Sequence, residues 1–153
     1  MDCFFDSSAL MKRYANERGS SWVENTLNLA SGNTIFIAEI TQVEVTSAIF
    51  RKVRGNIIDL ADANLAFSKL QHDIQDEYFV IDWSSMILQN AVNLSKTHYL
   101  RGYDAIQLAF ALEINKENLL LGASPIIFVC ADDKLNIAAQ NESLTIENPN
   151  NYP

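Results

Sequence analysis

The stretch FFDSSAL, residues 4–10, decides the predicted fold. Two bulky aromatic residues run directly into the carboxylate of Asp6, and two serines then begin a helical pattern. A short, wholly apolar strand of this kind is typical of a parallel sheet that is buried on both faces. An acid between such a strand and a helix lies at the carboxyl edge of the sheet, where open α/β folds bind ligands. Taken alone, Asp6 is interpreted first as the cap of the helix and second as a metal ligand.

The composition is typical of a single globular domain. The chain has 153 residues, of which 48% are hydrophobic and 20% charged, and its five glycines and three prolines leave little room for linkers. No apolar run approaches the roughly 20 residues that span a bilayer, and Asp2 interrupts the start of any secretion signal. We therefore expect a cytoplasmic protein with no membrane partner, in which Cys3 and Cys130 are buried, reduced thiols.

The net charge restricts how the chain can hold nucleic acid. Its formal value is −8 at neutral pH, whereas proteins that bind nucleic acid by charge alone are normally basic. Any such role therefore needs a local basic patch, a bridging metal ion, or both.

Strands and helices alternate along the chain. Strands are predicted at 2–5, 34–38, 78–81, 126–130 and 143–146, and helices at 7–16, 41–54, 57–76, 84–98 and 132–139, with further helices beginning at Ser20 or Ser21 and at Gly102. This alternation predicts a parallel α/β sandwich. The helix that begins at Gly102 is apolar on nearly every side, so we expect it to be central. The apolar positions of the other helices are expected to face the core, among them Leu29, Leu60, Leu65 and Leu88. The domain is assigned to residues 1–148, followed by a polar C-terminal tail, 149–153.

Four acids lie at junctions between these elements: Asp6, Glu44, Asp104 and Asp132. Helix capping explains each one separately, and Glu44 stands three residues after Thr41, which is the spacing of a capping box. Taken together they favour chemistry, because carboxylates at the ends of neighbouring parallel strands face one crevice. Clustered carboxylates imply a cation, and oxygen ligands with no His or Cys nearby suit Mg²⁺ or Mn²⁺. Such an ion activates water and stabilises charge on a phosphate, so phosphodiester hydrolysis is the expected reaction.

Four motifs in this order resemble those of the PIN-domain ribonucleases, especially toxins of the VapC type. They are DSSALMKRYANERGS at 6–20, TQVEVTSAIFRKVR at 41–54, LRGYDAIQLAFAL at 100–112 and VCADDKLNIAA at 129–139, and LTIENP at 144–149 is similar to the family's final strand. The resemblance covers essentially the whole chain. It implies a three-layer α/β/α sandwich with a short, mostly parallel central sheet. It also implies an endoribonuclease dependent on Mg²⁺ or Mn²⁺, whose metal-binding and catalytic residues are Asp6, Glu44, Asp104 and Asp132.

The same resemblance implies partners and supporting residues. The partners are an RNA substrate, a second copy of the chain and a small antitoxin that blocks the site. The spacing to Leu135 favours Asp132 over the adjacent Asp133 as the fourth acid, although Asp133 can cap the helix or bind through water. The resemblance suggests that the hydroxyl of Ser8 lies near the metal or its water, and an ordinary hydroxyl at the start of a helix is the equal alternative. Arg101 is interpreted first as a surface charge and second as a residue that offsets the acidic cluster or contacts phosphate. The number of metal ions, one or two, stays open. Lys12 and Arg13 are candidates for contacts with RNA or an antitoxin, and Tyr103 is interpreted first as a core or interface residue.

Two other functions fit parts of the pattern. The fold can serve as a non-catalytic PIN-like binding module that acts through a protein partner or nucleic acid, with its acids kept only as caps. Calorimetry with Mn²⁺ separates this alternative from a nuclease. A receiver domain phosphorylated on a strand-end aspartate is disfavoured, because it needs paired acids after the first strand and a lysine after the last. Here Asp6 stands alone, and Lys134 lies inside a predicted helix.

Overall fold

A computed structural model describes residues 1–152, and this part of the chain contains five strands and seven helices. The strands are β1 (Asp2–Phe5), β2 (Thr34–Ala38), β3 (Phe79–Ile81), β4 (Ile127–Val129) and β5 (Thr145–Glu147). The helices are α1 (Ser7–Leu10), α2 (Ser20–Leu27), α3 (Thr41–Arg54), α4 (Leu60–Asp76), α5 (Ser85–His98), α6 (Gly102–Leu120) and α7 (Asp133–Asn141). Short 3₁₀ segments lie at Met11–Arg13, Leu29–Ser31 and Pro149–Asn151.

The strands form one parallel sheet in the order β3-β2-β1-β4-β5, which confirms the predicted parallel architecture. β1 is central, because Phe4 pairs with Phe36 of β2 on one side and with Phe128 of β4 on the other. The chain builds outward from β1 first in one direction and then in the other. The strand order therefore reverses between β1 and β4, and a crevice opens there at the carboxyl ends of the strands. Asp6 follows β1 and Asp132 follows β4, so both acids stand at this crevice.

Helices cover both faces of the sheet and produce the three layers. Successive residues of β1 point to opposite faces, so Phe4 and Phe5 enter different cores. Phe4 packs with α5, α6 and α7, and its ring lies 6.0 Å from that of Phe128. Phe5 packs with α1 to α4, beside Leu10 and Val45. Across residues 1–152, no helix has the length and apolar character needed to cross a bilayer.

Helix α6 is central, as its apolar sequence predicts. Its residues Ala105 and Leu108–Ala111 are fully buried in the core that also contains Phe4. The helix begins at the carboxyl edge of the sheet, where its first turn carries Asp104. The turns of α6 that follow Asp104 are buried in the core. The packing of this helix therefore determines the position of Asp104, rather than the loop that precedes it.

The helices predicted at 7–16 and 57–76 differ most from the observed ones, whereas β2 and α3 match their predicted bounds. The helix predicted at 7–16 is the four-residue α1 followed by the 3₁₀ segment Met11–Arg13. The helix predicted at 57–76 begins at Leu60, because the side chain of Asp59 caps its first turn.

Four leucines predicted to face the core are exposed instead: Leu29, Leu60, Leu65 and Leu88. On α4 the buried stripe passes through Ala63 and Leu70, seven residues apart and therefore on one face. Leu65 lies two residues beyond Ala63, which places it on the opposite side of the helix. The predicted stripe was wrong because apolar residues occur on both faces of this helix.

The C-terminal residues pack against the domain. The ring of Tyr152 stacks on Trp22 with centroids 4.8 Å apart and planes inclined by 6°. Gly19 of the chain before α2 has φ +85°, and a Cβ added there would lie 2.3 Å from the carbonyl oxygen of Pro149, so glycine is required. Of the predicted tail 149–153, Pro153 lies outside the described residues.

Candidate active site

Asp6 is the most buried of the four predicted acids, with 4% exposure. Its Oδ1 accepts a hydrogen bond of 2.9 Å from the amide of Ala9, so it caps α1 as predicted. The hydroxyl of Ser8 lies 2.8 and 2.9 Å from the two carboxylate oxygens and donates to one of them at a time. Burial raises the pKa of Asp6 to about 6 and outweighs these hydrogen bonds, which lower it. Asp6 is therefore a desolvated charge that a cation would stabilise.

Ser8 links the first acid to the loop that carries the fourth. Besides its contact with Asp6, its Oγ accepts a hydrogen bond of 2.9 Å from the amide of Ala131. It also lies 3.7 Å from the sulfur of Cys130, which is buried as predicted. One hydroxyl thus joins the turn after β1 to the loop after β4.

Glu44 lies in the first turn of α3 and does not form the predicted capping box. Thr41 is already helical, and Ile40, which precedes it, has no side chain that can cap. The Oε1 of Glu44 instead accepts a hydrogen bond of 2.9 Å from Nε2 of Gln107. Burial raises the pKa of Glu44, and the charges of Asp6 and Asp104 raise it further. Glu44 therefore lies close enough to both carboxylates to be affected by their charge.

Asp104, in the first turn of α6, also does not cap its helix. Arg101 occupies the cap position, and no side chain makes a capping hydrogen bond there. Burial raises the pKa of Asp104, the charge of Asp132 raises it further, and the positive charge of Arg101 lowers it. Arg101 therefore lies near enough to Asp104 for its charge to act on that carboxylate, and its role in the acidic cluster stays a prediction.

The two adjacent acids of the last motif have different partners. Asp132 caps α7, as predicted, by accepting at Oδ1 from the amides of Lys134 at 2.8 Å and Leu135 at 3.0 Å. Asp133 accepts a hydrogen bond of 2.8 Å from the side chain of Asn148, in the C-terminal segment. Since the charge of Asp132 acts on Asp104, this geometry favours Asp132 rather than Asp133 as the fourth acid.

Two clefts flank the acids, and each contains an exposed tyrosine and at least one cation. The first, of about 540 Å³, includes Glu44, Arg51 and Tyr103. The second, of about 640 Å³, includes Tyr99, Arg101, Asp104, Asp132 and Lys134. Cations and aromatic faces on either side of a carboxylate cluster suit a bound nucleic-acid strand.

Two cations from the first motif are not available for such contacts. Lys12 and Arg13 were candidates for binding RNA or an antitoxin. Lys12 is buried and donates to the carbonyl of Arg18 at 2.8 Å. Arg13 forms ion pairs with Asp73 at 2.6 Å and with Glu77 at 2.9 Å, which join the start of the chain to α4. Both side chains therefore have structural roles.

The donor set fits a hard divalent cation. Within residues 1–152, no three His, Cys, Asp or Glu side chains already surround a point where a metal ion would bind. Neighbouring carboxylates raise the pKa of Glu44 and Asp104, while Asp6, Glu44 and Asp132 are held by separate hydrogen bonds. Mg²⁺ retains several water ligands and binds through one or two carboxylates, so a tight cage is not required. Carboxylate and hydroxyl oxygens on separate, rigid elements suit Mg²⁺ or Mn²⁺ better than zinc.

Sequence reasoning missed two features of this site. Gln107 contacts Glu44 and was not among the predicted residues. The available signal was a polar residue inside an otherwise apolar helix, three positions after Asp104. Tyr103 was interpreted first as core or interface, but it is 62% exposed and lines the first cleft.

Comparison with known proteins gives relatives in sequence and in structure. No family model matches the chain. The ribonucleases VapC45 and VapC49 of Mycobacterium tuberculosis are each 29% identical to this chain over 126 residues, which cover 77% of this chain and 80% of theirs.

Solved structures share the fold at lower sequence identity. VapBC2 of Rickettsia felis, bound to a DNA fragment from its promoter, has a TM-score of 0.65 at 19% identity, and the match covers 97% of this chain and 98% of the neighbour's chain. A toxin-antitoxin complex of Klebsiella pneumoniae has a TM-score of 0.59 at 16% identity, with coverages of 96% and 97%. The solved structures share the fold of this chain over nearly its whole length.

Proposed function

We propose that this chain is a VapC-type PIN-domain endoribonuclease that depends on Mg²⁺ or Mn²⁺, a proposal supported by its similarity in sequence to VapC ribonucleases and in fold to the solved toxin-antitoxin structures. One observation carries the proposal: Asp6 follows β1, Asp132 follows β4, and Glu44 and Asp104 lie in the first turns of α3 and α6, so all four acids stand at the carboxyl edge of the sheet. Burial raises the pKa of Asp6, Glu44 and Asp104, so keeping them ionised together has a cost in stability. A divalent cation bound between these carboxylates would offset that cost.

The chain's own residues divide the work of holding the metal and the substrate. When bound, Mg²⁺ or Mn²⁺ would supply an activated water and neutralise charge on the scissile phosphate. Asp6 and Glu44 would hold the ion from the buried side, where hydrogen bonds from Ser8 and Gln107 orient them. Asp104 and Asp132 would hold it from the solvent side, with Oδ1 of Asp132 already engaged by the amides that it caps.

The clefts on both sides of the acids support RNA as the substrate. Arg51 lines one cleft, and Arg101 and Lys134 line the other, so phosphates on either side of the reacting bond would meet a cation. Tyr103 and Tyr99 offer exposed rings on which bases can stack. Local cations of this kind let a protein with a net charge of −8 hold a polyanion near its acids.

We further propose that the protein is the toxin of a type II toxin–antitoxin pair and is blocked by a cognate antitoxin. The support is the likeness to VapC ribonucleases in sequence and to a toxin-antitoxin complex in fold. Its place of action would be the cytoplasm, in keeping with the buried free thiols Cys3 and Cys130.

A homodimer is the proposed assembly. A shallow, mostly apolar groove beside the start of α3 is lined by Ile40, Val43, Trp83 and Ile106. Val43 is 67% exposed and Trp83 39%, which leaves apolar area for a second copy to cover. Light scattering of the purified chain would detect the dimer, and Val43→Glu should shift it to monomer.

Cleavage of structured RNAs by the purified protein tests the nuclease proposal. We expect cleavage that needs Mn²⁺ or Mg²⁺ and that Asp6→Asn reduces by more than the roughly 100-fold typical of losing an outer-shell partner. Asp59→Asn is the matched control, because Asp59 caps α4 as Asp6 caps α1 but lies outside the acid cluster. A wild-type protein that cleaves no RNA, or an active Asp6→Asn variant, would refute the proposal. If calorimetry also detects no Mn²⁺ binding, the non-catalytic binding module is favoured.

A further inference from the structure

Gln107 is a buried polar side chain within α6, with 1% exposure. Its Nε2 lies 2.8 Å from Oγ of Ser7, 3.0 Å from Oγ1 of Thr41 and 2.9 Å from Oε1 of Glu44. An amide group has two hydrogens to share among these three oxygens. One side chain therefore joins the turn after β1, the start of α3 and the first turns of α6, and it does so beside the acid cluster.

The orientation of this amide is informative. Its Oε1 is buried and has no hydrogen-bond partner among the residues that the structure describes, and such an unpaired acceptor lowers stability. Turning the amide over would let Oε1 accept from the hydroxyls of Ser7 and Thr41. It would also press that oxygen against the carboxylate of Glu44, which can accept but not donate when ionised. The ionised carboxylate therefore selects the observed orientation, so the amide is set to hold Glu44.

Glu44 needs such a partner more than the neighbouring acids do. Asp6 and Asp132 have short side chains that accept hydrogen bonds from backbone amides. Glu44 has one more rotatable bond, and its carboxylate accepts a hydrogen bond from the side chain of Gln107 rather than from the backbone. Repulsion from Asp6 would turn an unrestrained Glu44 away from the crevice.

We propose that Gln107 is a positioning residue that keeps Glu44 directed at the divalent cation, a role that rests on the proposed function. Gln107 itself does not touch the metal. Because it lies three residues after Asp104 on the same face of α6, it couples the placement of the second acid to that of the third. A role confined to joining helices would affect the stability of the fold and leave metal affinity unchanged.

The test is the affinity of RNA-free protein for Mn²⁺, measured by calorimetry. Gln107→Met keeps the length of the side chain and removes the donor, and we expect it to weaken Mn²⁺ binding by roughly 10- to 100-fold, as loss of an outer-shell partner does. Gln107→His retains an N–H donor at similar reach and should stay close to wild type. In the cleavage assay, Gln107→Met should lower kcat and leave KM for RNA nearly unchanged, because it touches neither cleft cation.

Asn118→Leu is the matched control. Asn118 lies on the same helix and donates its side-chain amide to a carboxylate, that of Asp2, at 2.8 Å, but at the opposite edge of the sheet. It should bind Mn²⁺ as wild type does, whatever its effect on thermal stability. Unchanged affinity in Gln107→Met, equal losses in Gln107→Met and Gln107→His, or an equal loss in Asn118→Leu would each overturn the inference while leaving the nuclease intact. A wild-type protein that binds no Mn²⁺ would overturn the inference and the proposed function together.

Discussion

The buried half of the acid site is the buried Asp6 with the half-buried Glu44, which accepts from the interior side chain of Gln107. The open half is Asp104 and Asp132, which are half-buried and line the second cleft. In the buried half, hydrogen bonds come from several elements, and burial raises the pKa of Asp6 to about 6. In the open half, Asp132 is held by amides of the helix that it caps, and Asp104 lies beside the exposed Arg101. The buried half has its geometry before a metal binds, at a cost in charge desolvation. The open half stays accessible to water and substrate.

The largest expected effect compares one acid from each half. Asp6→Asn should weaken Mn²⁺ binding by more than about 100-fold, because it removes a fixed ligand, whereas Asp132→Asn should weaken it by about tenfold, since water can replace an exposed ligand. Calorimetry of the RNA-free proteins measures both values. If both variants lost the same amount of affinity for Mn²⁺, the two halves of the site would not differ in how they hold the metal.

Asp133→Asn serves as the control for this comparison. The carboxylate of Asp133 accepts from Asn148 and faces the C-terminal segment, so its affinity for Mn²⁺ should match that of wild type. A loss as large as that of Asp132→Asn would reassign the fourth acid to Asp133.

The second expected effect is a dependence of metal binding on pH. The pKa of Asp6 is raised to about 6 in the folded protein, so below that pH a proton competes with the cation for this carboxylate. Affinity for Mn²⁺ should fall by up to about tenfold for each pH unit below about 6, and it should level off above that value. Titrations between about pH 5 and about pH 8 would show this break, and Asp6→Asn should lack it.

The smallest effect is a gain in stability on removing the buried charge. A carboxyl group whose folded pKa is raised above its unfolded value binds its proton more tightly when folded. It therefore destabilises the metal-free fold as pH rises from about 4 through about 6, and the full penalty remains above that range. Asp6→Asn can still cap α1, so it should stabilise the metal-free protein by about 1–2 kcal/mol near neutral pH.

Chemical denaturation without metal would measure that gain. Asp132→Asn is the comparison, because Asp132 is partly exposed and also caps a helix. We expect its stability to stay within about 0.5 kcal/mol of wild type. If Asp6→Asn is less stable than wild type, the hydrogen bonds of the Asp6 carboxylate contribute more to stability than its desolvation costs.

The strand-end acids were predictable because they depend on order along the chain. An acid that directly follows a buried parallel strand lies at the carboxyl edge of the sheet whatever the packing, and Asp6 and Asp132 follow this rule. Their capping was predictable for the same local reason. The capping predicted for Glu44 and Asp104 was wrong, because whether an acid early in a helix caps it depends on where the first turn begins.

Which face of a helix is buried was harder to predict. The stripe of α4 was misassigned at Leu60 and Leu65, because apolar residues lie on both of its faces. Arg13 was a candidate for RNA contacts, yet its partners Asp73 and Glu77 lie about 60 residues away along the chain. No local sequence pattern indicates an ion pair between residues so far apart in the chain.

The sequence by itself determined the alternating fold, the position of Asp6 and the set of acids, since periodicity and junctions are properties of neighbouring residues. Only the tertiary structure decided that Asp6 is desolvated, that Asp133 accepts a hydrogen bond from Asn148, and that Gln107 donates to Glu44. The physical reason is that burial and hydrogen-bond partners depend on distances between elements far apart in the chain. The stretch after β1 thus brings an acid to the crevice, and the packing of α6 against it determines how that acid's neighbours are held.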